Sequence, residues 1–221
     1  MVDVAGARVV AVLTRAPSSG GKTRLFAALG CASDPRLLTA LLLDTLDGAA
    51  APGVSRVVSV TPASACDEVA SLVPRGVGVM PQSSGELGER MRSAFASLFD
   101  SGARAVVVIG SDLPAITPSI VAAAFEILER DVDALVLGPA ADGGYYLVGA
   151  TRVPPVFDGI EWGSDAVLAQ TQAVAARAGL RVSVVETLTD IDAIGDLRRV
   201  GEGLPASRTA AWLRGAEQRR P

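Results

Sequence analysis

The stretch ARVVAVLTRAPSSGGKTRL, residues 7–25, places an apolar run, a glycine-containing loop and the start of a helical pattern in succession. Its loop holds Lys22, the single lysine of the chain. A strand that leads through a glycine loop into a helix is typical of phosphate-binding loops, in which backbone N–H groups face the anion. We therefore expect this loop to contact a phosphorylated ligand.

A P-loop is one interpretation of this stretch, but the spacing disagrees with it. The P-loop pattern requires a glycine at position 16, five residues before Gly21-Lys22-Thr23, and the chain has Ala16 there. Pro17 follows and lacks the N–H group that could contact an anion. The residues therefore favour a different kind of phosphate loop, with the P-loop as the weaker alternative.

Apolar runs that suit β-strands alternate with helical patterns along the chain. Runs that are apolar throughout indicate a largely parallel sheet covered by helices on both faces, which is a three-layer α/β sandwich. The strands are predicted at 7–13, 55–61, 76–80, 103–110, 133–139, 145–150 and 180–186. After the helix that opens behind Lys22, helices are predicted at about 34–48, 64–72, 85–100, 117–129, 164–178 and 193–201.

Composition limits the class of protein. The chain has 221 residues, 49% of them hydrophobic, and a net charge of −4, which predicts one soluble domain with its core at about 8–200 and a charged tail at 202–221. The sequence has no basic patch of the kind that would indicate a nucleic-acid partner. It also has no apolar run long enough for a membrane span. The first residues lack the basic segment of a signal peptide, and two cysteines make no disulfide framework, so we expect a cytoplasmic protein.

The absence of certain residue types restricts the chemistry. The chain has no histidine and no asparagine. Histidine-dependent triads, histidine zinc motifs and histidine acid–base catalysis are therefore excluded. A bound metal would depend on carboxylates, carbonyls and water, which favours a hard cation such as Mg²⁺ or Mn²⁺.

Acidic residues follow two of the predicted strands. In an open parallel sheet, ligands bind outside the carboxyl ends of the strands, where Ser111 and Asp112 follow one strand and Asp190 and Asp192 follow another. Asp112 is not needed as a helix cap, because Thr117 before Pro118 suits that position. Asp192 has the competing interpretation of a cap on the next helix. Together the three aspartates make a plausible magnesium site.

The turn Asp142-Gly143-Gly144 separates two short strands. Asp-Gly is a favoured turn dipeptide on structural grounds alone, and it predicts a hairpin-like or crossing element here. In the functional interpretation, the glycines let a ligand approach the backbone and Asp142 accepts bonds from hydroxyl groups. Tyr145 and Tyr146 point to opposite faces of a regular strand, so that one of them at most lines the site easily.

Six segments occur in an order and at a spacing that resemble a known family: TRAPSSGGKTRL (14–25), QSSGELGERM (82–91), GSDLP (110–114), GPAADGGYYLVG (138–149), FDGIEW (157–162) and TDIDAIGDL (189–197). Over about 8–200, the chain is similar to a bacterial family of glycosyltransferase-like proteins, often described only as a domain of unknown function. That family belongs to the nucleotide-diphospho-sugar transferase (GT-A) superfamily, which also contains molybdenum-cofactor and phospholactate or phosphoenolpyruvate guanylyltransferases.

The resemblance implies roles for individual residues. The first loop, from Thr14, would wrap the nucleotide together with Ser111, and Lys22 and Arg24 would contact phosphates. Asp112 resembles the first metal-binding aspartate of the superfamily and is a candidate catalytic residue, and Asp190 with Asp192 resembles the second metal-binding element. Asp142, also a catalytic candidate, would face the sugar or acceptor with Gly143, Gly144 and Tyr145.

The favoured hypothesis is a metal-dependent transferase that takes a group from a nucleotide-activated donor to a small-molecule acceptor. A glycosyltransferase acting on a nucleotide sugar is preferred. A nucleotidyltransferase that uses a nucleoside triphosphate and resembles the guanylyltransferases is the first alternative. A nucleotide-binding module without catalysis is the second, and the three carboxylates argue against it, because without a metal they would only repel one another.

Overall fold

The computed structural model describes residues 4–218, so the first three residues and the last three of the predicted tail lie outside it. These residues form one α/β domain with a seven-stranded sheet. The strands are β1 (Arg8–Arg15), β2 (Val54–Thr61), β3 (Gly78–Pro81), β4 (Ala105–Gly110), β5 (Ala134–Pro139), β6 (Tyr145–Ala150) and β7 (Arg181–Val184). Each predicted strand is present, and the predicted three-layer α/β fold is confirmed.

The order of the strands is β3-β2-β1-β4-β6-β5-β7. β1 lies between β2 and β4 and is parallel to both. β6 is antiparallel to β4 and to β5, so the turn at Asp142–Gly144 joins a hairpin, as predicted. This inserted strand brings the β5–β6 turn to the edge of the sheet at which β1 and β4 end.

Eight α-helices occur within the described residues. They are α1 (Thr23–Leu29), α2 (Pro35–Gly48), α3 (Cys66–Leu72), α4 (Leu87–Asp100), α5 (Pro118–Arg130), α6 (Val167–Arg177), α7 (Ile194–Gly203) and α8 (Arg208–Glu217). The stretch predicted as a tail is therefore helical over much of its length. None of these helices is both long and apolar enough to cross a bilayer.

Both faces of the sheet are buried, which explains why its strands are apolar throughout. Val10 and Val12 of β1 pack into a cluster with α2, α3 and α5. Val9 and Ala11 pack on the other face with α4 and α6. Alternate side chains of a strand point to opposite faces, so two covered faces require apolar residues at every position.

A third apolar cluster lies beside the sheet and joins four helices. It contains Leu25, Phe26, Leu37, Leu41, Ile191, Leu197, Val200 and Leu213, from α1, α2, α7, α8 and the segment before α7. Helix α8 is attached by the Trp212 indole, whose Nε1 donates a 2.9 Å hydrogen bond to Asp34 Oδ2 at the start of α2. Ile191, between Asp190 and Asp192, anchors the acidic segment to this cluster.

Candidate active site

The carboxyl ends of β1 and β4, the β5–β6 turn and the segment after β7 meet at one edge of the sheet. The backbone N–H of Ile191 donates to the carbonyl of Asp112 over 3.2 Å, which ties the acidic segment to the loop after β4. Ala140, just after β5, forms an isolated parallel bridge with Leu188. These contacts bring together aspartates that are distant in sequence.

Asp112 occupies space that a glycine leaves open. A Cβ atom at Gly110 would lie 2.8 Å from Asp112 Oδ1, so a larger residue there would displace the carboxylate. Asp112 does not cap α5, because the Thr117 hydroxyl accepts from the backbone N–H of Ile120 at 3.4 Å, as the sequence predicts. The Asp112 side chain is therefore available to the cleft.

Asp192 is not a helix cap either. The Asp196 carboxylate accepts hydrogen bonds from the backbone N–H groups of Asp192 (3.2 Å) and Ala193 (2.7 Å) and so caps the start of α7. Ile191 is fully buried, whereas the side chain of Asp192 is 64% exposed and Asp190 lines a cavity. The capping interpretation of Asp192 is thus wrong.

Asp112, Asp190 and Asp192 form an acidic triad. One carboxylate oxygen from each lies within 4.8 Å of the others. Burial raises the pKa of Asp190 to about 6, and repulsion from Asp112 and Asp192 adds to this shift against the opposing effect of Lys22. Three carboxylates this close favour a cation among them, and oxygen donors suit a hard divalent ion.

Lys22 supplies a positive charge to the triad. Its Nζ pairs with Asp112 and lies 2.6 Å from Asp192 Oδ1. Burial by itself lowers the pKa of Lys22, but the two carboxylates outweigh it and the pKa is raised. Lys22 has φ 48° and ψ 42°, the left-handed conformation that non-glycine residues seldom adopt, directly before α1. The residue with this uncommon backbone conformation is thus the one whose ammonium group pairs with two carboxylates of the triad.

A cavity of about 210 Å³ opens beside Lys22 and contains the predicted phosphate loop. Its lining includes Thr14, Gly20, Gly21, Lys22 and Ser111. Thr14 Oγ1 lies 3.0 Å from Ser111 Oγ, so the two predicted nucleotide contacts adjoin each other. Arg24 is exposed on α1 and lines neither this cavity nor the larger one, and its predicted phosphate contact remains a prediction.

A second cavity, of about 350 Å³, shares Ser111 and Asp112 with the first and continues toward the β5–β6 turn. Asp142, Gly144, Tyr145 and Asp190 line it. Packing explains why position 143 is a glycine. At its φ of 91°, a Cβ atom would lie 2.2 Å from the carbonyl oxygen of Asp165. The other predicted residues of this turn face the cavity.

The sequence analysis did not predict that α4 forms one wall of the larger cavity. Leu87 and Met91 line it from α4, together with Trp162. Gly88 permits this packing, since a Cβ atom there would lie 2.8 Å from the Trp162 ring. A glycine inside an amphipathic helix was the one available signal of a close neighbour.

The fold and the acidic site define a class, the transferases with the nucleotide-diphospho-sugar transferase fold. A Desulfovibrio desulfuricans G20 protein assigned as a nucleotide-diphospho-sugar transferase superposes with a TM-score of 0.84 at 30% identity, covering 99% of this chain and 96% of that one. The 4-diphosphocytidyl-2C-methyl-D-erythritol synthase shares the fold with a TM-score of 0.58 at 13% identity, over 88% of this chain and 97% of its own. The chain is a transferase of this class.

Within the class, the chain belongs to the family described as "Uncharacterized protein conserved in bacteria (DUF2064)", which residues 45–164 match. The resemblance inferred from the sequence is thereby confirmed. A relative of named activity is the 3-phospho-D-glycerate guanylyltransferase of Phenylobacterium zucineum (strain HLK1). It is 30% identical over 210 residues, which are 92% of this chain and 94% of that protein.

Proposed function

We propose that this transferase is a nucleotidyltransferase, which moves the nucleoside monophosphate of a nucleoside triphosphate, with GTP as the first candidate, onto a phosphorylated small molecule. The observation that carries the proposal is the 30% identity to a guanylyltransferase over 92% of the chain. It changes the preference drawn from sequence, which placed glycosyl transfer first.

The residues of the site support this reaction. In the proposed step, a phosphate oxygen of the acceptor attacks the α-phosphorus of the triphosphate, the bond from that phosphorus to its bridging oxygen breaks, and pyrophosphate leaves. A phosphate dianion is already a nucleophile at neutral pH, because its second pKa is about 6. The reaction therefore needs no histidine base, and the chain has none.

Lys22 and the acidic triad divide the remaining work in this proposal. Asp112, Asp190 and Asp192 would hold Mg²⁺ or Mn²⁺, which would neutralise charge on the phosphates. The donor set fits such an ion, since all three groups are carboxylates with oxygens within 4.8 Å of one another. Lys22 would turn to the triphosphate once a metal replaces it at Asp112 and Asp192. Thr14 and Ser111 would contact the nucleotide beside it.

The test is product analysis with purified protein, GTP, Mg²⁺ and a panel of phosphomonoesters. We expect pyrophosphate and a guanosine diphosphate conjugate, and neither from Asp112→Asn. The matched control is Asp158→Asn, which removes a carboxylate that is 84% exposed, pairs with Arg92 and lies outside both cavities. Release of a nucleoside diphosphate from UDP- or GDP-sugars, with no reaction of GTP, would instead establish glycosyl transfer.

A further inference from the structure

The larger cavity has an unusual charge balance for an enzyme that handles phosphates. Among the described residues that line it there is no lysine or arginine. Its charged groups are the carboxylates of Asp112, Asp142 and Asp190. With a metal held by Asp112 and Asp190, Asp142 is the remaining charged group of the described lining, and a second anionic group of a ligand placed beside it, away from the metal, would meet no lysine or arginine.

The walls of the cavity are apolar and aromatic. The lining includes Leu13, Leu87 and Met91 together with Tyr145 and Trp162, whose rings pack edge to face with centroids 6.3 Å apart. The Tyr145 hydroxyl is buried near Thr171, so the ring rather than the hydroxyl is what Tyr145 offers to a ligand. Leu87 is 47% exposed, and this large apolar side chain gains burial when the cavity is filled.

The position of Lys22 fixes which end of an acceptor enters this cavity. The attacking phosphate must lie near the triad, which is the proposed metal site, and near the smaller cavity, whose lining carries the cationic side chains of Lys22 and Arg15. The remainder of the acceptor then extends past Asp112 toward Asp142, Tyr145 and Trp162. A carboxylate placed there would be desolvated by the apolar walls and repelled by Asp142. An uncharged group would instead bury apolar surface.

We propose that the acceptor is a phosphomonoester with an uncharged, partly apolar body, and that Asp142 discriminates against acceptors that carry a carboxylate at this position. This inference rests on the proposed nucleotidyl transfer. In this proposal Asp142 determines specificity by repulsion. It lowers the affinity for acceptors with a carboxylate and does not raise the affinity for acceptors with an uncharged body. The acceptor class is thereby distinct from 3-phospho-D-glycerate.

A matched pair of ligands tests the proposal. sn-Glycerol 1-phosphate has the configuration of 3-phospho-D-glycerate and carries a hydroxymethyl group in place of the carboxylate, and phenyl phosphate adds an apolar ring. Trp212→Phe leaves Trp162 as the single tryptophan, so its fluorescence reports occupancy of the cavity. With Mg²⁺ present, we expect phenyl phosphate to bind most tightly. sn-Glycerol 1-phosphate should bind about tenfold more tightly than 3-phosphoglycerate, because the carboxylate of the latter would be buried without a partner.

Asp142→Asn, made in the Trp212→Phe protein, separates charge from shape. Asp142 Oδ1 accepts from the Gly144 N–H at 3.0 Å, and the asparagine carbonyl oxygen can keep that bond. We expect 3-phosphoglycerate to bind more tightly to this variant while the two uncharged-body ligands change little. Three results would each overturn the proposal. In the Trp212→Phe protein, 3-phosphoglycerate could bind as tightly as the glycerol phosphate or more tightly, or phenyl phosphate could leave the Trp162 fluorescence unchanged. In the Asp142→Asn variant, the ratio of the two affinities could be the same as in its parent.

Binding of GTP is followed in the same samples by thermal shift, because a ligand of the native state raises the melting temperature. A protein that binds GTP but prefers 3-phosphoglycerate would contradict the acceptor class and leave nucleotidyl transfer in place. If GTP does not change the melting temperature of the protein, the proposed function itself is contradicted.

Discussion

At the scale of the residue, Lys22 has two competing attractions. In this structure it neutralises Asp112 and Asp192, and in the proposed function it contacts the triphosphate. A divalent cation at the triad would take its place among the same carboxylates. Lys22 is therefore expected to oppose the binding of metal alone and to support the binding of nucleotide with metal.

Lys22→Met should change these two affinities in opposite directions. Nucleotide binding should weaken by about 1.5–3 kcal/mol, the range for hydrogen bonds to charged groups. Mn²⁺ alone should bind more tightly, because no ammonium group competes for the carboxylates. The metal-free variant should also be less stable to urea, since its three carboxylates lose their partner. Calorimetric titration and urea unfolding measure these effects.

The control for Lys22 is Arg198→Met, which removes the same charge from an exposed side chain of α7. Arg198 has no ion pair within the described residues and lines neither cavity of the candidate site. It should leave nucleotide and metal binding unchanged. If Lys22→Met also left both affinities and the stability unchanged, the ion pairs with the triad would have no energetic role.

At the scale of the element, the segment between β7 and α7 depends on one buried side chain. Ile191→Ala should cost about 2–4 kcal/mol of unfolding free energy, because it opens a cavity in the cluster of α1, α2, α7 and α8. It should also weaken Mn²⁺ binding, because Asp190 and Asp192 lose their shared anchor. Denaturant unfolding and metal titration of the same preparation test both.

Leu213→Ala is the matched variant for this effect, since Leu213 lies in the same cluster but on α8. We expect it to lower stability with little effect on metal binding. A similar loss of metal affinity in both variants would mean that general loosening of the cluster, and not the anchor at Ile191, positions the aspartates.

The start of α2 makes a prediction about pH. The pKa of Asp34 is lowered to about 2, mainly by the hydrogen bond from the Arg36 side chain and also by the one from the Trp212 indole. Burial opposes this shift. A carboxyl group with a lower pKa in the folded state stabilises the protein above its unfolded pKa of about 3.9. This contribution should disappear as the pH falls from about 4 to about 2.

Asp34→Ala should therefore be less stable than the unsubstituted protein at pH 7, by about 0.5–2 kcal/mol for the lost cap of α2. The difference should narrow as the pH falls from about 4 to about 2, because in this range the Asp34 carboxyl group binds a proton in the unfolded chain before it does so in the folded protein. Urea unfolding at a series of pH values measures it. A difference that stays constant down to pH 2 would show that the charge of Asp34 contributes nothing.

At the scale of the whole molecule, helix α8 closes the third cluster. Asp44 is buried on α2 and accepts from the backbone N–H groups of Arg208 (3.1 Å) and Thr209 (2.8 Å) at the start of α8. Removal of residues 207–221 would leave this carboxylate without those donors and expose Leu37 and Leu41. We expect a large fall in melting temperature and weaker metal binding, because the exposed cluster also holds Ile191.

Trp212→Phe is the milder comparison for this truncation, since it removes one hydrogen bond and keeps the helix. It should lower the melting temperature slightly and leave metal binding intact. If the truncated protein kept the melting temperature of the full chain, α8 would not unfold cooperatively with the rest of the domain, and the expectation of a tail would hold.

Much of the candidate site could be predicted from sequence because its parts follow strands. Asp112, Asp142, Asp190 and Asp192 each come shortly after an apolar run, and parallel strands end at one edge. The seven strands could be predicted because a sheet covered by helices on both faces requires continuous apolar runs. Helix α8 was not, because its burial comes from α2 and α7 and not from a strong pattern of its own.

The sequence by itself determined the alternation of strands and helices, the hard-oxygen character of any metal site and the hairpin at Asp142–Gly144, because these depend on residue types at short spacing. The tertiary structure alone decided that Lys22 meets carboxylates 90 and 170 positions away, and that α4 and Trp162 wall a cavity without cations. Those contacts depend on the order of the strands in the sheet. Local patterns of polarity do not encode that order, since any of several orders would bury the same apolar faces.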